Sequence, residues 1–486
     1  MEPITCKKED NFENWYQQIL IRCDLIEYYD IPGCYIFKAD TMEIWENIQI
    51  YLNQEFKKLG VKNMYFPLFV KKENLEKESN HIKGFTPEVA WIKTSDKTED
   101  NTIAIRPTSE TIIYSQAKKW IRSYRDLPIK INQWCNVVRW EFKDPTPFIR
   151  SKEFLWQEGH TFHQYKLNAD QEVRNILNIY KKLYEEVLLV PVIPGIKSES
   201  EKFCGADYTT TVETYIPECS KAIQAATSHS LGQNFSKIFD LTFRDENNTD
   251  NNYVWQNSWG LSTRSIGIII MIHGDNKGCL FPPKIAPIQI IITTKEDKIK
   301  NKEAFEIYLN TIRHELSMYR LYFDRTDQTM GYKFNYWEQK GVPIRIEIGS
   351  NEFISNNLSL FRRDTFEKIK NIPKENLAAI VRDLFRNIEE NMYTKAKEKI
   401  FSKMLYVDDM NKFIENIDGH IIKVFWCGKK DCEDEIYKQT KDSKGISIRN
   451  LCIPFDEKEQ TNMKCIVCNQ EIKRKYNCVS LFSKSF

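Results

Sequence analysis

Residues 131–163, INQWCNVVRWEFKDPTPFIRSKEFLWQEGHTFH, decide how the chain is read. Two runs of period-two alternation flank a proline-containing loop, which is the pattern of a β-hairpin. In the first run Val137, Arg139 and Glu141 fall on one side, and Trp140 and Phe142 on the other. In the second run Trp156, Glu158 and His160 share a face, and the DPTPF loop between the runs leads to Arg150. One surface should therefore carry a cation, carboxylates, an indole and an imidazole. Alternating charges also describe the solvated face of an ordinary sheet. Tryptophan seldom belongs to such a face.

The whole chain sets the frame for this hairpin. At 486 residues it is long enough for about two to four domains, each with its own core. Lys and Arg number 70 against 68 Asp and Glu, a net charge of +2. That balance excludes a global polycation of the kind that coats DNA, and leaves any RNA contact to a local patch. The N-terminal residues show no signal-peptide pattern and no stretch approaches the ~18 apolar residues of a membrane span, so a cytoplasmic protein with no membrane partner is expected. Of the 13 cysteines, six crowd into residues 427–486. Two close pairs, Cys427 with Cys432 and Cys465 with Cys468, suit a tetrahedral zinc site, with Cys452 and Cys478 able to substitute.

Around the hairpin, helical periodicity covers residues 11–29 and again 42–59, where Trp45, Ile48, Leu52, Phe56 and Leu59 step by three and four before Gly60. The aromatic run 61–70 reads as an edge strand because Pro67 cannot donate to a ladder. Residues 103–110, IAIRPTSE, read as a strand turning into a helix, with Thr108 or Ser109 as cap and Glu110 in the first turn. A further helix is expected over 165–190. The small residues of AIQAATSHSLG (222–232) let backbone approach a ligand closely. Arg264 sits where the apolar helix of 266–272 begins, a poor place for the helix dipole and a good one for an anion. From Pro287 onward strands and helices alternate, as in an α/β domain with a parallel core.

An arginine leaving a long strand in RWE, a loop arginine and a return strand resemble motif 2 of the class II aminoacyl-tRNA synthetases. The words VVRWEF, FLWQEGH and RPTSE resemble more narrowly the prolyl-tRNA synthetase family of the eukaryotic and archaeal type. The helix, strand and Pro67 of 42–70 look like motif 1, which implies a homodimer, and residues 255–275 look like motif 3. The resemblance spans nearly the whole chain. It implies an α/β protein with an α+β catalytic domain (residues 1–284) built on an antiparallel sheet with flanking helices. An α/β anticodon-binding domain (285–391) and a small zinc-binding domain (392–486) would follow. Neither an editing insertion between motifs 2 and 3 nor an N-terminal synthetase fusion is expected.

The same resemblance implies the chemistry: activation of L-proline by ATP and transfer to tRNA(Pro). Arg139, Arg264 and Glu110 are the expected catalytic residues. Proline would be held by Thr108, Glu110, Arg139, Trp156, Glu158, His160, Phe203, His229 and Ser258, with the aromatic members shaping a pocket for a ring that has no polar group to read. ATP would be held by Arg139, Glu141, Arg150, Phe85, Glu88, Gln224, Thr227, Ser262 and Arg264, with Gln224 beside Mg²⁺. Zinc would be structural, and Arg345, Glu347 and Arg363 would face tRNA. Relatives carry glycines where Ala225 and Ala226 stand, and a terminal tyrosine where Phe486 stands. Two other readings fit less of this pattern: a class II synthetase for another small amino acid, and a synthetase-like binding protein without catalysis.

Overall fold

The computed structural model describes residues 2–81, 89–92, 102–140, 144–247, 252–441, 448–455, 463–472 and 479–486, with side chains left aside at 77–81. Its central feature is an eleven-stranded sheet. Six neighbouring strands are antiparallel throughout, in the spatial order Ile193–Ile196, Tyr208–Ile216, Lys221–Gly232, Trp255–Ser262, Glu153–His163 and Ile129–Val138. One side of this sheet takes the helices Ala39–Lys58, Lys166–Lys182 and Arg264–His273. Their apolar faces (Trp45 and Ile48; Ile176 and Tyr180; Ile266 and Ile270) bury against Trp259, Leu261 and Ala226. On the other side Ile131 and Phe162 pack under Ile113, Tyr114 and Phe235 at one end, and the neighbouring stretch of the sheet lines a cavity. Alternation along each strand therefore sends one set of side chains into the core and the next into a concave face.

Local chemistry explains most boundaries. Ala39–Lys58 buries Ile44, Trp45, Ile48, Leu52 and Phe56 and stops before Gly60, whose φ of 78° favours glycine. The first helix spans only Phe12–Arg22, capped by Asn11, because Asp24 takes a left-handed φ of 61° and Ile26–Tyr28 turns into a strand. The 165–190 segment is helical over Lys166–Lys182 and continues as a π turn, Leu183–Val187. The expected strand over 61–70 is reduced to Lys62–Asn63 and Phe69–Lys71. Around Pro67 the backbone is held by side chains instead: Phe66 N–H donates to Gln133, and the buried Arg106 guanidinium donates to the carbonyls of Phe66, Pro67 and Asn136. Gly159 is required by a close approach, since a Cβ there would lie 2.0 Å from the Trp259 indole.

The second unit is a five-stranded mixed sheet. Ile290–Thr294 lies between Leu321–Asp324 and Ile344–Ile348, all parallel, and Asn357–Arg362 and Lys368–Pro373 extend it antiparallel. Here the three expected tRNA-facing residues are corrected. Arg345, Glu347 and Arg363 are 5%, 7% and 1% exposed. Arg345 lies between the rings of Phe334 and Phe361 and pairs with Glu338 at 2.7 Å and Glu347 at 3.1 Å. Arg363 makes a bidentate pair with Asp275 at the end of the first unit, and its Nε donates to the Glu338 carbonyl. Charges at these depths are internal braces, because burial without a partner would be prohibitive.

Helix Leu377–Phe401 runs through residues 391 and 392, so the expected domain join falls mid-helix. Beyond it, Met404–Tyr406, Ile421–Phe425, Val479–Ser483 and Arg449–Pro454 form the far end of the large sheet, with Arg449–Pro454 pairing antiparallel to Ile193–Ile196. No helix among the described residues is long and apolar enough to cross a membrane.

Candidate active site

The hairpin register makes the site. Ile131 opposes His160, Gln133 opposes Glu158, Cys135 opposes Trp156 and Val137 opposes Phe154. On the next strand Ser258, Gly260 and Ser262 oppose His160, Glu158 and Trp156. Thr227 and His229 oppose Gly260 and Ser258, and Thr209 opposes His229. All of these lie on the concave face by the two-residue repeat. The members from Phe154 to His160, with Ser258, Gly260, Ser262, Thr227, His229 and Thr209, line a cavity of about 260 Å³, to which Thr108, Phe203 and Gln224 and the helix starts Glu110 and Arg264 contribute.

Two guanidinium groups stand in this cavity. Arg139 follows the outgoing strand, its guanidinium 5.3 Å from the Trp156 ring and 5.5 Å from the Phe154 ring, with Nε donating to the Pro107 carbonyl. Arg264 opens its helix and donates to the carbonyls of Ile149 and Gln224. Burial, with Arg139 and Arg150 as neighbouring cations, lowers its pKa from the ordinary value. Arg150 itself is exposed and does not line the cavity. Two half-buried cations near one another, each donating to neutral carbonyls, suit an anion.

The floor is a buried polar network. Glu158 accepts from the Ser109 hydroxyl, from the Ser109 N–H at 3.2 Å and from Gln133 Nε2 at 3.0 Å, and meets His160 Nε2 at 3.2 Å. Tyr114 OH lies 3.0 Å from His160 Nδ1. Burial alone would raise the Glu158 pKa, but His160, Ser109 and Gln133 outweigh it and the net shift is downward. For His160 burial pulls down, and Glu158 and Glu110 pull it up overall. His229 is opposite in character: burial, with His160 nearby, drives its pKa down to about 3, and its ring packs 4.8 Å from Phe203. One pocket thus holds an imidazole whose pKa is raised by neighbouring carboxylates and another whose pKa is lowered by burial. Thr108 donates to Glu110 at the helix start.

Of the residues expected at the site, Thr108, Glu110, Arg139, Trp156, Glu158 and His160 meet in this cavity, together with Phe203, Gln224, Thr227, His229, Ser258, Ser262 and Arg264. Phe85, Glu88 and Glu141 lie outside the described residues. Ser109, not Thr108, precedes the helix Glu110–Ala117, and its hydroxyl serves Glu158 and not the helix. Ser109, Gln133, Tyr114 and Thr209 were missed. Gln133 continues the same two-residue alternation as Val137 and could have been read from it; the others depend on partners at least 20 residues away.

A second cluster lies in the C-terminal lobe. The sulfurs of Cys427, Cys432, Cys465 and Cys468 all fall within 4.8 Å of one another. Tetrahedral Zn–S bonds of about 2.3 Å put sulfurs just under 4 Å apart, so the donor set fits zinc. Cys452 is buried elsewhere, against Gly195, and is no substitute ligand; Cys478 lies outside the described residues.

Comparison with known proteins follows the same division. Residues 91–273 match the tRNA synthetase class II core domain (G, H, P, S and T), 289–384 an anticodon binding domain, and 407–486 the C-terminal domain of prolyl-tRNA synthetase. The chain is 46% identical over 461 residues to the cytoplasmic proline–tRNA ligase of Arabidopsis thaliana, covering 94% of this chain and 86% of that one. It is 43% identical over 500 residues to the proline–tRNA ligase of Encephalitozoon cuniculi, covering 99% of both. A crystal structure of prolyl-tRNA synthetase from Cryptosporidium parvum complexed with halofuginone and AMPPNP superposes with a TM-score of 0.92 at 43% identity, over 100% of this chain and 99% of that one. The same enzyme complexed with L-proline and AMP gives 0.92 at 42% identity. With the two-cation cavity, the anticodon-type sheet and the cysteine lobe all in one chain, the protein belongs to the prolyl-tRNA synthetase family, class II enzymes that ligate proline to tRNA.

Proposed function

We propose that the chain activates L-proline with ATP, releasing pyrophosphate, and passes the prolyl group to the 3′ end of tRNA(Pro) in cytoplasmic translation, acting as a homodimer. The observation that carries this reading is the pair Arg139 and Arg264 in one cavity whose floor is the Glu158–His160 network. A carboxylate oxygen of proline attacks the α-phosphorus; the new P–O bond forms as the bond to the bridging oxygen breaks and pyrophosphate leaves. The carboxylate is already the nucleophile, so orientation and charge neutralisation supply the rate.

Arg139 bridges the carboxylate and the α-phosphate. Arg264 holds the far phosphates, with Arg150 contributing from the rim. Glu110 and Thr108 take the proline nitrogen, a cation that needs a carboxylate. Trp156, His160 and Phe203 shape the space for the pyrrolidine ring, with Glu158, His229 and Ser258 behind them, and shape carries the selectivity. Thr227, Ser262 and Gln224, together with Phe85, Glu88 and Glu141, frame the nucleotide. Gln224 offers one neutral oxygen, which fits a Mg²⁺ held mainly by phosphate oxygens and water; bound there, the ion would neutralise phosphate charge. Zinc on the four thiolates supplies structure to the C-terminal lobe. Residues 285–391 carry the anticodon contact.

Proline-dependent exchange of labelled pyrophosphate into ATP tests the reading without tRNA. Exchange with proline and not alanine is expected, falling about 100-fold or more in Arg139→Ala, the scale of losing a charge-stabilising donor. Exchange with another amino acid alone, or none from folded protein, refutes it.

A further inference from the structure

The polar contacts around His229 form a continuous chain from Phe203 through Thr209 and the imidazole to Thr227. Thr209 Oγ1 receives the Phe203 N–H at 2.9 Å and lies 2.9 Å from His229 Nδ1. On the other edge of the imidazole, Nε2 lies 3.0 Å from Thr227 Oγ1. A threonine hydroxyl has one proton to give and two lone pairs to receive with. Thr209 is 1% exposed and already accepts from Phe203, and no other acceptor for its proton occurs among the described residues. A buried hydroxyl proton left unmatched is costly. It therefore goes to Nδ1.

The remaining protons follow. With Nδ1 as acceptor the ring is neutral and carries its proton on Nε2, which donates to Thr227. One lone pair of Thr227 is then occupied, and its own proton points away from the ring, into the cavity that Thr227 lines. The whole chain reads Phe203 N–H to Thr209, Thr209 O–H to His229, His229 Nε2–H to Thr227, and Thr227 O–H to an oxygen of the ligand.

We propose that Thr209 is a positioning residue that fixes the His229 tautomer, commits Thr227 to donate to an acceptor oxygen of the nucleotide, and ties that contact to Phe203, the wall of the proline pocket. The proposal rests on the adenylation reading for the identity of the two ligands. It makes the proline and nucleotide sites mechanically one: the backbone that seats Phe203 is the first donor of the chain whose last donor meets the nucleotide. The Phe203 and His229 rings, 4.8 Å apart and tilted by 37°, reinforce the same link by packing.

The test uses full-length protein labelled with ¹⁵N-histidine, seven residues in all, with the His229 signal assigned by its loss in His229→Gln. The wild type should show His229 protonated on Nε2 alone. Thr209→Val should release the tautomer and raise the KM for ATP in the exchange reaction about tenfold, the size of one hydrogen bond lost in a sheltered pocket, with kcat changed much less. Thr209→Ser, which keeps the hydroxyl and loses only a methyl, should restore both. A proton on Nδ1 in the wild type overturns the proposal, whatever the variants do. So does a KM for ATP within twofold of wild type in Thr209→Val, or a serine variant as impaired as the valine one, which would assign the effect to packing. The spectrum reads the relay without any turnover, so an enzyme inactive with proline would sink the adenylation reading and still leave the tautomer to be decided.

Discussion

Replacing Glu172 by glutamine should destabilise the protein by an amount that depends on pH in a defined way. Glu172 lies on the helix Lys166–Lys182, 3% exposed, beneath the back of the catalytic sheet. Burial alone would raise its pKa. His163 Nε2 at 2.8 Å, Lys130 Nζ at 3.0 Å, the Thr161 hydroxyl and Asn257 Nδ2 at 3.1 Å reverse this and hold it at about 2, against 4.5 for a free side chain. Holding this carboxyl at about 2 in place of 4.5 corresponds to ~3 kcal/mol of stability. The folded value is the depressed one. The stability is therefore fully present above pH 4.5 and is lost as pH falls toward 2, because the unfolded chain takes up the proton first. Urea unfolding of wild type and Glu172→Gln should differ by ~3 kcal/mol at pH 7 and by ~1 kcal/mol at pH 3. Other carboxylates titrate in both proteins and cancel in the difference. A gap below ~1 kcal/mol at pH 7, or one that stays constant from pH 7 to 3, would refute the assignment of that energy to the ionised form.

The other expectations concern the lobes. Purified protein should contain about one zinc per chain by atomic emission, and Cys465→Ser or prolonged chelation should remove it and lower the melting temperature; an unchanged melt after complete metal loss would argue against a structural ion. Arg363→Met removes a bidentate partner from Asp275, which is 36% exposed, and should cost about 2 kcal/mol, less than for a fully buried pair. Because that pair joins the class II core to the anticodon-type sheet, tRNA charging should fall several-fold more than proline-dependent exchange in the same variant. Equal losses would mean the brace serves folding alone.

Much of the site could be read from one strand pair, because period-two alternation is local. Once 131–163 is read as a hairpin, Trp156, Glu158 and His160 must share a face, and Val137 must join them. Arg264 announced itself by sitting where a helix start does not want a cation. What sequence concealed was pairing at a distance. Arg363 reads as a solvated arginine until Asp275, 88 residues earlier, is placed against it. Arg345 and Glu347, two apart on a strand, were expected to face tRNA; Arg345 lies between Phe334 and Phe361 and pairs with Glu338 and Glu347. Ser109 looked like a helix cap, and its hydroxyl is claimed by Glu158 across 49 residues. Each of these depends on desolvation by remote segments, which no local pattern records.

The pairing of Arg449–Pro454 with Ile193–Ile196 bears on how the protein is made. During synthesis the last of the strands that line the cavity, Trp255–Ser262, is complete 187 residues before Arg449, where the segment that covers the sheet edge begins (449 − 262). Until then Ile193–Ile196 is an open edge strand, a template for any other nascent chain with free backbone donors. Backbone bonds from Ala222 N–H to the Lys484 carbonyl and from Phe486 N–H to the Ala222 carbonyl add a second late contact, at the start of Lys221–Gly232. A chain that stops in the cysteine lobe would leave that edge uncovered, so such a truncation should yield aggregates rather than a weakened enzyme, read by the soluble fraction on expression.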